Sequence, residues 1–160
     1  MNTTRHRPFR HDRRQALQQA CATTCMVLGG GLAGGGWAQA AGPSTLLLKL
    51  GDDSLTVLLD DHATARDFAS LLPLRLTLED YAATEKIASL PRALSLEGAP
   101  AGYTPVAGDV AYYAPWGNLA LFHKGFRHSA GLVRLGRISQ GVQRLAVPGR
   151  VAAELVLAGR

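Results

Sequence analysis

Beyond residue 40 this 160-residue chain contains no cysteine and no methionine; Cys21, Cys25, Met1 and Met26 all fall in the first forty positions. Residues 41–160 therefore work without disulfides, thiolate nucleophiles or cysteine-held zinc. The chain also lacks a long apolar run. A bilayer span needs about 20 predominantly apolar residues, whereas the uncharged stretch Cys21–Trp37 holds six glycines and two threonines. There is no Gly-x-Ser-x-Gly elbow, and the glycines between Gly98 and Gly108 are broken by proline with no Lys-Ser/Thr following. The histidines beyond residue 40 are His62, His123 and His128, which form no His-x-His or His-x-x-x-His pair. No metal site and no cofactor are expected.

Acidic residues are missing from one half of the chain. Val110–Ala153 carries six Lys+Arg and no Asp or Glu, whereas Gly42–Asp109 carries ten acids and five bases. Two readings follow: mutual pairing of the halves across the fold, or a basic lip for an anionic ligand. The net charge of +5 over the whole chain suggests nucleic acid. Most of that excess sits in the first forty residues, however. Without them twelve bases face eleven acids, and nucleic acid is not an expected partner.

Arg13 and Arg14 close a basic stretch that leads into the weakly apolar Ala20–Gly36 and then Ala38-Gln39-Ala40. This order resembles a bacterial twin-arginine export signal. The resemblance implies a cleavable signal over residues 1–40, cut after Ala40, and a periplasmic or secreted destination with membrane contact only during export. Residues 41–45 then form a short linker and 46–160 a single domain.

Leu46, Leu48 and Leu50 alternate with Leu47 and Lys49; a Gly51-Asp52-Asp53 turn leads to a second alternating run through Leu55, Val57 and Leu59. That pattern predicts a β-hairpin. Thr64 to Asp67 reads as a capping-box start, with Ala65, Phe68, Ala69 and Leu72 on one helical face and Pro73 as the stop. Further strands are predicted at Leu74–Leu78, Asp109–Ala114, Leu119–Lys124, Gly131–Ile138 with a bulge at Gly136, and Val151–Leu157. Tyr81–Ala107 reads as a looser region with a short strand near Lys86-Ile87. Many short strands and one helix argue for a mainly β antiparallel barrel or sandwich.

Thr84–Ile87, Leu90-Pro91 with Gly98–Gly102, Ala107–Phe122 and Gly131–Gly136 together resemble the small bacterial cyclophilin-like domain family, and Ala63–Phe68 with Leu72-Pro73 fits its helix. The resemblance runs over Leu46–Ile138. It implies a closed antiparallel cyclophilin-like β-barrel with one α-helix. The prolyl isomerases of similar fold polarise the substrate amide with an arginine and hold the ring in a pocket that includes a Phe-x-x-x-Gln strand and a methionine. Here no methionine lies beyond Met26, and neither Gln140 nor Gln143 stands four residues after a phenylalanine. The isomerase site does not carry over residue by residue.

The residues singled out for ligand binding are Glu85, Lys86, Tyr113, Trp116 and Asn118. Aromatics around a Pro-Trp-Gly-Asn turn supply flat apolar surface with polar tips, suited to a peptide or small molecule. Alternation sends Tyr112 and Tyr113 to opposite faces. The competing structural reading puts one tyrosine and Phe122 in the core, Trp116 over a barrel end, and Glu85-Lys86 on an exposed ion-pairing edge. The expected function is an exported, non-enzymatic binding domain for a peptide or small ligand. The alternatives are a diverged peptidyl-prolyl isomerase and an enzyme using Glu85 or a histidine.

Overall fold

A computed structural model describes residues 44–159; the expected signal and most of its linker lie outside the described residues. The strands are β1 (Thr45–Leu50), β2 (Asp53–Leu59), β3 (Leu74–Tyr81), β4 (Glu85–Ser89), β5 (Gly102–Tyr103), β6 (Asp109–Tyr113), β7 (Asn118–Phe122), β8 (Ser129–Ala130), β9 (Leu132–Ile138) and β10 (Val151–Leu157). One helix, α1, spans Ala63–Ala69, and a 3₁₀ turn spans Val142–Ala146. Eight strands close an antiparallel barrel in the order β1-β10-β3-β4-β7-β6-β9-β2, with β5 and β8 forming a separate two-stranded sheet. The mainly β, one-helix barrel expected from the sequence is the fold. Among the described residues no helix is long and apolar enough to cross a membrane.

Period-two patterning builds the barrel interior. Leu46, Leu48 and Leu50 face inward opposite Leu157, Leu155 and Ala153 of β10. The β1–β2 hairpin turns on Gly51-Asp52, with positive φ at Gly51 alone of the two, as a type II′ turn requires. The bulge expected at Gly136 sits one residue earlier: Val110 pairs with Gly136 and Ala111 with Arg134, leaving Leu135 as the extra residue. Gly136 itself is where β2 passes so closely that a Cβ would lie 2.3 Å from the Leu58 carbonyl oxygen.

Three expectations are corrected. The cap of α1 is His62, whose Nδ1 accepts from the Ala65 amide, and Thr64 is buried inside the helix rather than starting a capping box. Phe68 and Ala65 are fully buried in the barrel core, as the helical stripe predicts. The loose region after Tyr81 contains a full barrel strand, β4, and the short β5. Glu85-Lys86 is not an exposed edge, because β4 is hydrogen-bonded on both sides, to β3 and β7. Strands β6 and β7, expected as strands, are buried on both faces along nearly all their length.

The β3–β4 turn is unusual. Ala82 and Ala83 hold φ of 50° and 54°, and the Thr84 amide donates to the Tyr81 carbonyl at 3.2 Å. Two successive positive-φ residues make a type I′ turn, a geometry that favours Asn-Gly. Alanine there costs roughly 1–2 kcal/mol per residue.

The charge asymmetry resolves mainly into pairing. Arg134, Arg137, Arg144 and Arg150 of the basic half contact Asp60, Asp109, Asp53 and Glu79. Arg127 and Lys124 have no ion-pair partner among the described residues.

Candidate functional site

The barrel wall β4-β7-β6 has a second apolar face, pointing outward. Strand register aligns Ile87, Ala120 and Ala111 in one outward row. Glu85 lies opposite Phe122 and Tyr81, and Asn118 opposite Tyr113. The β5–β8 sheet covers part of this face. At Gly102 an added Cβ would sit 2.3 Å from the Ser129 carbonyl oxygen, so glycine allows the flap to close. The Phe126 amide donates to the Pro105 carbonyl at 3.1 Å and ties the two covering loops together.

Between wall and flap lies a cavity of about 150 Å³, lined by Tyr81, Glu85, Ile87, Tyr113, Trp116, Asn118, Ala120, Phe122, Phe126, Arg127, Ser129 and Leu132. Of the residues singled out from sequence, Glu85, Tyr113, Trp116 and Asn118 come together here. Lys86 does not. As Glu85's neighbour in a strand it points to the opposite face, into the barrel. There it is 1% exposed, with Nζ 2.6 Å from Asp80 Oδ1 and 2.7 Å from the Gly149 carbonyl. The Lys86 bond and the Gly149 backbone amide, which donates to Asp80 Oδ2, hold the Asp80 carboxyl below the usual range, Lys86 contributing most.

Tyr112 and Tyr113 part as alternation requires. Tyr112 enters the core, where its hydroxyl accepts from the Leu94 amide at 3.2 Å. Tyr113 meets Trp116 edge-on with ring centroids 5.4 Å apart, and Tyr81 does so from β3 at 5.5 Å. Trp116 remains 58% exposed. It stands at the cavity mouth and does not cap the barrel, since the four-residue loop Ala114–Gly117 carries it outward from a strand pair whose inner face is already filled.

The polar groups of the cavity are unusually bare. Asn118 is 5% exposed; its Nδ2 donates to the Leu119 carbonyl at 3.2 Å and its Oδ1 has no partner. Glu85 is 7% exposed and has neither hydrogen bond nor ion pair among the described residues. Burial alone pushes its carboxyl up to about 7. An unpaired buried acid is costly to a fold and marks a functional site more often than a structural one. Arg127 overhangs the mouth with its guanidinium 5.1 Å from the Phe126 ring centroid. The histidines lie elsewhere: His62 caps α1, and burial lowers His123 below the usual imidazole range.

Sequence reasoning missed Phe126, Arg127, Ser129 and Leu132; Phe122, which the competing reading put in the core, is buried with Ala111, Ala120 and Leu132 and also lines the cavity. The flap residues sit in a segment whose strands are two residues long, too short for any periodicity. The one available signal was Phe126, a lone aromatic in the otherwise polar stretch Lys124–Ser129.

Residues 48–155 match the profile of the Cyclophilin-like family. Among solved structures, the solution structure of the hypothetical protein AF2241 from Archaeoglobus fulgidus superposes with a TM-score of 0.55 at 19% identity, over 72% of this chain and 95% of that one. At that identity the likeness concerns the fold. No curated protein matches this chain.

Proposed function

The chain belongs to the Cyclophilin-like family, and from that premise we propose that its barrel is a binding domain whose ligand, a peptide side chain or a small molecule, enters the outer-wall cavity. The observation that carries this reading is Trp116. A tryptophan 58% exposed, yet held edge-on by two tyrosines at a cavity mouth, is a pre-positioned aromatic anchor of the kind that dominates binding energy. The volume, about 150 Å³, suits one side chain or a comparably small group. A library of peptides and fragments screened by NMR against the full chain tests it. Hits should shift the Trp116 indole N–H resonance, and Trp116→Ala should abolish them while changing stability by about 0.5 kcal/mol or less, as for an exposed site. An empty screen, or a stability loss near the ~3–5 kcal/mol of a buried aromatic, overturns the reading.

A second reading rests on Arg127. An arginine beside an aromatic cavity supplies one element of prolyl isomerisation, although the Phe-x-x-x-Gln strand and the methionine are absent. Acceleration of proline-peptide isomerisation by the full chain, lost in Arg127→Ala, would establish it. No acceleration leaves the non-enzymatic reading.

The domain is proposed to act after export, on the strength of Arg13-Arg14, the glycine-rich stretch and Ala38-Gln39-Ala40. Replacing both arginines with lysine should stop the appearance of a form beginning at Ala41 outside the cytoplasm. Unchanged accumulation of that form would point to the general secretory route.

A further inference from the structure

We infer that the outer-wall cavity takes a small alkylammonium group, its N–H donors directed at the Glu85 carboxyl, its carbons against Tyr113, Trp116 and Phe122. This rests on the binding reading above and adds the charge of the ligand to it.

The argument begins with the sign of what is unsatisfied. Glu85 is a buried acceptor that lines the cavity, without a donor among the described residues. A neutral apolar occupant would leave the Glu85 carboxyl unpaired and drier than before. An anion would meet a carboxylate. A donor-bearing cation satisfies the Glu85 carboxyl through charge-assisted hydrogen bonds.

The walls agree with that sign. Aromatic rings carry negative π-faces that attract ammonium groups, and aromatic cages closed by a carboxylate are a recurring way to bind them. One cation already stands against the aromatic lining, since the Arg127 guanidinium lies over Phe126 of the flap. Arg127 does not occupy the floor's role. It is exposed at the mouth, where solvent screens its charge, and it makes no ion pair with Glu85. The size also fits: a cavity of about 150 Å³ matches one that admits a molecule the size of benzene, enough for a short alkylamine.

The ionisable groups facing Glu85 are Tyr81 from β3, Tyr103 from β5, Tyr113 from β6 and Arg127 from the covering loop. Burial raises Tyr103 further above its ordinary range, and arginine stays charged throughout. Between pH 5 and 8 Glu85, pushed up to about 7, is thus the group among them that changes charge. A cation binds its ionised form, so affinity should rise with pH by roughly tenfold or more between pH 5.5 and 8.

Three probes of one shape and three charges test the inference: n-butylammonium, n-butanol and n-butyrate, titrated into the full chain and followed at the Trp116 indole N–H. n-Butylammonium should bind at least tenfold tighter than either of the others at pH 8, with the stated pH dependence. Glu85→Gln should bring n-butylammonium to within threefold of n-butanol, and a melting temperature no lower than the parent's would show that this loss is not unfolding. Equal or tighter binding of n-butanol or n-butyrate overturns the cation and leaves the binding reading standing. So does silence from all three alongside library hits at the same resonance. An empty library removes the binding reading itself.

Discussion

Glu85 and Lys86 are neighbours on one strand and live by opposite rules. Lys86 turns into the barrel, is almost wholly buried, and finds two oxygens at 2.6 and 2.7 Å. Glu85 turns outward into the cavity, is nearly as buried, and finds none. The inner face of β4 is therefore a finished piece of packing, with every apolar neighbour in the main core and its one charge satisfied. The outer face is unfinished: an unpaired acid, an unpaired amide oxygen, an exposed tryptophan and, one turn upstream, two alanines in left-handed backbone. A fold tolerates such a set when the missing contacts are made by something that binds, and the contrast between the two faces separates residues kept for stability from residues kept at its expense.

The largest effect should come from the finished side. Phe68→Ala opens a cavity under α1 in the main core and should lower stability by about 3–5 kcal/mol, measured by chemical denaturation. A loss below about 1 kcal/mol would mean the helix contributes little to the core.

On the unfinished side the sign should invert. Burial raises the Glu85 carboxyl from the usual 4.5 to about 7, so the folded state favours the protonated form. That contribution is fully present below pH 4.5 and is lost as pH rises through about 7. Glu85→Gln should remove this slope and stabilise the protein at pH 8 by about 1–3 kcal/mol, after allowing for solvent at the cavity mouth. Melts at pH 4 and pH 8 check both parts, and a destabilised variant at pH 8 would erase the contrast.

Smaller again is the turn. Ala82→Asn with Ala83→Gly supplies residues suited to positive φ and should add about 1–2 kcal/mol. If the double variant gains stability and still answers the NMR probes, the strain serves no purpose in binding. If binding weakens, the turn positions Tyr81 and Glu85.

Much of this was legible beforehand, for local reasons. Alternating leucines placed β1, β2 and β3, and the helical stripe placed Phe68 inward. The grouping of Glu85 with Tyr113, Trp116 and Asn118 was readable as residues around one turn and one neighbouring stretch. What was not legible depends on partners distant in sequence. β4 shows no alternation because both of its faces are covered, so Glu85 and Lys86 read as a surface pair. Whether Trp116 covers the barrel or stands free depends on Tyr81, thirty-five positions away. The flap, with Phe126 and Arg127, is held by pairs of residues too few to leave a pattern. His62 was hidden for another reason: a histidine is an uncommon helix cap, and Thr64 offered the commoner one.

The enclosure of Lys86 also has a chemical side. The chain has three lysines, Lys49, Lys86 and Lys124. Lys124 is exposed, and Lys49 is exposed although its amine meets Glu154, whereas Lys86 is 1% exposed and donates its ammonium protons to Asp80 and Gly149. An acylating reagent needs a free, deprotonated amine it can reach. Lys49 and Lys124 should therefore be modified within minutes under mild conditions, and Lys86 only as often as the barrel opens at the seam between β3, β4 and the segment before β10. Mass spectrometry of Lys86 acylation over hours would make one side chain a clock for the opening of the barrel.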